Sequence, residues 1–149
     1  MADVLDLAER FWNGAVTGRD LLRPTGHAEE IAPDVFFLHA FANVTALRTA
    51  AGLVLVDTGN YAARAKTFEV VRGWAAEPVA AAVYTHGHVD HACGLPPFLA
   101  EAAARGWRRP QIVGHRNVRA RCAGFGARTA TPVRSPTTPT PMADIVLAG

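Results

Sequence analysis

Two continuous apolar runs constrain the fold of this chain most. Leu53–Val56 and Val79–Tyr84 contain no charged residue and read as buried strands. Between them Tyr61, Ala65, Phe68, Val71 and Ala75 recur at helical spacing, with Arg64, Lys66, Glu69 and Arg72 on other faces. That pattern predicts an amphipathic helix covering a sheet, broken at Pro78. Upstream, Val35–Phe41 and Asn43–Thr49 read as two further strands, which Ala50, Ala51 and Gly52 join to Leu53–Val56 as an antiparallel meander. Downstream, Leu95, Phe98, Leu99, Ala102 and Ala103 predict another helix. Pro96 and Pro97 suit its first turn and Gly106 its C-terminal cap. Gln111–Gly114 reads as a short strand, and Asn117–Cys122 as the start of a helix. The alternation of strand and helix argues for a layered α/β sheet with helices on its faces.

The flanks read differently. Val4–Trp12 is a short amphipathic helix, followed by a connection, Leu21–Pro33, punctuated by Pro24, Gly26 and Pro33. From Ala123 onward hydrophobic periodicity is lost. Thr129–Pro141 is rich in threonine and proline and predicts an extended or disordered segment, and Ile145–Leu147 is too short to form an element alone. Three regions result: 1–34 (helix and connection), 35–122 (the α/β unit) and 123–149 (a low-complexity Thr/Pro/Arg tail).

Composition excludes some classes. No apolar run approaches the roughly 20 residues of a membrane span. Asp3, Asp6 and Glu9 near the N-terminus do not fit a secretory signal, so a cytoplasmic location is the default. Two cysteines, Cys93 and Cys122, fit a reducing compartment rather than a disulfide framework. After Glu101 the chain holds eight arginines and a single acid, Asp144. Arg105, Arg108, Arg109, Arg116, Arg119 and Arg121 could bind anions. They lack interleaved aromatics or a nucleic-acid fold signature, so they read as a solvated face rather than a nucleic-acid surface.

Directly after the second apolar run comes Thr85-His86-Gly87-His88-Val89-Asp90-His91, with three imidazoles and a carboxylate within six residues. These are ligands that a borderline-soft divalent cation accepts, and a tight turn after a strand would let them converge. Asp57, ending the first run, is either an acceptor supporting those imidazoles or a turn residue of Asp57-Thr58-Gly59. Cys93 reads as packing, His39 as a core histidine and His27 as exposed. His115 follows a short strand and could face the same rim.

The pattern His86-x-His88-x-Asp90-His91 resembles the signature of the metallo-β-lactamase-fold hydrolases. The run ending in Asp57-Thr58-Gly59 and the Gly94 that follows His91 agree with it. Ala42-Asn43-Val44-Thr45 and the wording around the histidines are similar to alkyl-sulfatase-like members. The resemblance covers roughly Phe36 to Cys122 and implies one αββα half of that fold. It also implies zinc, two ions per complete site: His86 and His88 on the first, Asp90 and His91 on the second. Asp90 would also be catalytic, orienting or deprotonating a water that attacks an ester-like bond of a small-molecule substrate. Members generally hold their metals between two such halves, so four ligands of roughly six or seven are legible here. The change of character near Ala123 reads as a prematurely ended or shifted reading frame. The exposed half-sheet would then call for an oligomer or partner to cover it.

Overall fold

The structure, a computed structural model, describes residues 4–16, 23–128 and 145–147. A seven-stranded mixed sheet organises it, with strands adjacent in chain order. β1 (Ala28–Ala32), β2 (Val35–Leu38), β3 (Val44–Thr49) and β4 (Gly52–Val56) form an antiparallel meander. From β4 onward the pairing is parallel, through β5 (Val79–Tyr84), β6 (Gln111–Gly114) and β7 (Ile145–Leu147). Parallel neighbours need a crossover. α2 (Arg64–Trp74) supplies one between β4 and β5, and α4 (Pro96–Ala104) lies in the next, between β5 and β6. α1 (Val4–Trp12), the single-turn α3 (Val89–Ala92) and α5 (Arg116–Arg128) complete the described elements.

Burial follows the apolar runs. Leu53 and Leu55 on β4, Ala82 on β5 and Ile112 on β6 are fully buried. They join Phe36, Val44, Val71, Leu95 and Phe98 in one core. Phe68 meets Phe98 edge-on at 5.0 Å, tying α2 to α4, and Trp74 stacks on Phe36 at 5.0 Å, tying α2 to β2. A partly buried ion pair adds to the α2–α4 contact: Arg72 Nη2 lies 2.6 Å from Glu101 Oε2. The remaining Arg72 donors reach the carbonyls of Ala75 and Glu77 at 3.0 and 2.9 Å. A buried cation is tolerable when its donors are satisfied in this way.

Three expectations are corrected. The stretch read as a bare connection contains β1, whose adjacent Glu29 and Glu30 hide it. It pairs with β2 and is crossed by the Val4 N–H to Glu29 Oε1 hydrogen bond from α1. The low-complexity tail does not begin at Ala123, because the helix read as starting at Asn117–Cys122 forms and runs on to Arg128. Ile145–Leu147 does form an element, because β6 offers a parallel edge on which three residues can pair. Thr129–Pro141, expected to be extended, lies outside the described residues. No helix among the described residues is long and apolar enough to cross a membrane.

Candidate metal centre

The site forms where β4 and β5 end side by side. At the end of β4, Asp57 turns into the left-handed region (φ 55°) while its N–H still donates to the Val83 carbonyl at 2.8 Å. A non-glycine residue with positive φ is uncommon, and aspartate is among the residues that tolerate it. The turn aims a buried carboxylate at the end of β5. There Oδ1 accepts the Thr85 N–H at 2.9 Å, and Oδ2 accepts the Thr85 hydroxyl and His91 Nδ1, both at 2.7 Å. Three donors compensate the burial of one carboxylate.

These bonds dictate proton positions. A carboxylate only accepts, so His91 donates from Nδ1, and in the neutral ring Nε2 is the nitrogen left without a proton. Thr85 spends its proton on Asp57, so its oxygen accepts from His86 Nδ1 at 2.9 Å. His86 therefore also presents an unprotonated Nε2. That atom lies 2.9 Å from His88 Nδ1. Two nitrogens on one zinc, each bonded at 2.0–2.1 Å in tetrahedral geometry, stand about 3.3 Å apart, so the separation is close to that of two donors on one ion. The His86 ring centroid is 4.7 Å from that of His88 and 4.1 Å from that of His91. Ligand atoms of Asp57, His86 and His91 all lie within 4.8 Å of one another. Imidazole nitrogens backed by a carboxylate are what a divalent N/O site requires.

The structure thus draws His86, His88 and His91 together. Asp90 borders the group, its Oδ2 3.7 Å from His91 Nε2. Asp57 meets the ring cluster, but its oxygens already take three donors, so it acts as the acceptor that orients Thr85 and His91. His115 does not join the group. Its Nδ1 accepts the Asn117 N–H at 3.2 Å, at the start of α5. His39 is buried and bonded to Thr25 Oγ1 at 2.7 Å, and burial, then the nearby His27, hold its pKa down. His27 is half-buried rather than exposed. Cys93 is partly buried, and burial pushes its thiol up, away from the thiolate a metal would bind.

Sequence reasoning missed the clamp behind the histidines. The His91 carbonyl accepts the Thr58 N–H at 2.8 Å and the Thr58 hydroxyl at 3.2 Å. Thr58 Oγ1 in turn accepts the Gly94 N–H at 3.2 Å. Tyr84, buried with its phenol pushed well up, donates to the Ala92 carbonyl at 3.1 Å. Gly87 lies in the bend between His86 and His88 without a positive φ. It makes room for α5: a Cβ there would lie 3.1 Å from Arg121 Cβ and 3.2 Å from Val118 Cα.

The family model of the metallo-beta-lactamase superfamily matches residues 39–144, most of the chain. The chain belongs to the metallo-β-lactamase superfamily. The match runs past the Cys122 limit of the resemblance read from the motif. Solved structures of the superfamily agree with the fold. The sec-alkylsulfatase Pisa1 from Pseudomonas sp. aligns at 24% identity over 66% of this chain and 16% of its own, with TM-score 0.53. The metallo-β-lactamase MIM-1 from Novosphingobium pentaromativorans aligns at 20% identity over 80% of this chain and 44% of its own, with TM-score 0.54. The subclass B3 enzyme BJP-1 of Bradyrhizobium japonicum aligns at 17% identity over 70% of this chain and 38% of its own, with TM-score 0.54. The chain therefore spans less than half of each of these metallo-β-lactamase-fold proteins. No curated protein matches its sequence.

Proposed function

We propose that this chain carries the metal-binding half of a zinc-dependent hydrolase that cleaves an ester-like bond in a small molecule. The observation that supports this is the carboxylate of Asp57. It holds His91 directly, and His86 through Thr85, in tautomers that leave both Nε2 atoms unprotonated. His86 and His88 would hold one ion, and Asp90 and His91 a second. A bound zinc lowers the pKa of its water toward neutrality and polarises the bond under attack. Asp90, more exposed than Asp57, would take a proton from the attacking water on a carboxylate oxygen. A cytoplasmic location belongs to the same reading.

A second reading has its own support. The chain spans 16 to 44% of the neighbours named above, and four donors fall short of a complete two-metal site. On that reading the chain is a zinc-binding remnant, or a fragment that another polypeptide or a second copy completes. Turnover separates the two. Aryl ester, sulfate ester and phosphodiester substrates are offered to zinc-reconstituted and chelator-treated protein, and to His88→Ala. The hydrolase reading expects zinc-dependent turnover of one class, reduced at least about tenfold in His88→Ala. Turnover that survives chelation contradicts it. Bound zinc without turnover favours the remnant.

A further inference from the structure

We propose that Arg121 anchors an anionic group of the substrate (carboxylate, sulfate or phosphate) beside the candidate metal centre. The proposal deepens the hydrolase reading and rests on it for the word substrate. Its basis is how α5 docks on the ligand loop. The loop's glycine receives the helix: the Arg121 stem and Val118 lie only 3.1–3.2 Å from where a Cβ on Gly87 would be, and the Cys122 thiol donates to the Gly87 carbonyl at 3.5 Å. This contact carries the Arg121 guanidinium to 3.0 Å from His88 Nε2.

What marks this guanidinium is its partner, a ring nitrogen of the histidine cluster. Arg48 pairs with Asp34 and Glu77, and Arg72 and Arg105 both pair with Glu101. Among the described residues no carboxylate lies within ion-pair distance of Arg121. Its contact is a ring nitrogen that accepts one N–H. A guanidinium has five donors in a planar fork and cannot give up its charge. The remaining donors, exposed at the rim of the histidine cluster, match the oxygens of a carboxylate, sulfate or phosphate. The carboxylate of Asp57 is not available to them, being filled by Thr85 and His91.

The metal-free chain is titrated with inorganic sulfate while the imidazole nitrogen shifts of His88 are followed by NMR. A saturable shift is expected in the wild type, with affinity reduced about tenfold or more in Arg121→Gln. Arg119→Gln removes the same charge from the same helix and is expected to change the affinity by less than about twofold. Arg121→Lys keeps stem and charge, covers the case in which the glutamine variant does not fold, and is expected to stay within about tenfold of the wild type. No saturable shift in the wild type, or equal losses in Arg119→Gln and Arg121→Gln, overturns the proposal. With zinc, Arg121→Gln is expected to raise KM for an aryl ester bearing a carboxylate about tenfold more than for its neutral counterpart. Equal changes in the two overturn the substrate role. If no ester is turned over, the hydrolase reading has failed, and the sulfate titration still decides whether Arg121 binds anions.

Discussion

Gly94→Ala is expected to destabilise the chain by more than about 4 kcal/mol, a large share of the stability of an ordinary domain. A Cβ on Gly94 would lie 1.6 Å from the Thr58 carbonyl oxygen and 2.6 Å from its carbon. Both atoms are backbone, so no side-chain rotation relieves the clash. The two segments are also bound to each other, since the Thr58 hydroxyl links the Gly94 N–H to the His91 carbonyl. Pushing them apart breaks the clamp that seats the histidine loop on the end of β4. Gly73, on α2, offers the contrast, because nothing lies within 4 Å of its Cβ position. Gly73→Ala is expected to stabilise by about 0.5–1 kcal/mol through helix propensity. Urea denaturation of both variants checks the pair, and a Gly94→Ala midpoint near that of the wild type would sink the account of the clamp.

Asp57→Ala is expected to cost about 3 kcal/mol of stability and to weaken zinc binding roughly 10–100-fold. The substitution leaves the Thr85 N–H, the Thr85 hydroxyl and His91 Nδ1 without their acceptor. Without it His91 and His86 lose the partner that sets their tautomers. Asp57→Asn keeps the shape but turns one oxygen into a donor. It faces three donors with a single acceptor atom, so it is expected to recover little. Competition with a chromophoric zinc chelator measures affinity, and urea midpoints measure stability. Zinc affinity equal to wild type in both variants would reduce Asp57 to a turn residue.

How much of this was legible in the chain differs from element to element. β4 and β5 declare themselves because strands inside a sheet lack a solvent face, and Leu53–Val56 and Val79–Tyr84 show none. α2 declares itself by period. β1 does not, because Glu29 and Glu30 give it the look of a polar connection between Pro24 and Pro33. β7 is three residues whose partner strand lies some thirty positions upstream, and such pairing leaves no local mark. At the site, residue types and spacing pointed to His86, His88, Asp90 and His91. The roles of Thr85, Thr58 and Arg121 depend on which backbone and ring atoms they meet across β4, β5 and α5. A hydroxyl at the end of a strand, or one arginine among several on a helix, carries no signal of that in sequence.

The histidine cluster after β5 is expected to bind zinc. Metal content of the chain, reconstituted with zinc and dialysed, tests it most directly when set against His86→Ala and His91→Ala prepared in the same way. At least one tightly held zinc per wild-type chain is expected, with that zinc lost in both variants while they remain folded. Wild-type protein that retains no zinc, or folded variants that hold as much as the wild type, would contradict it.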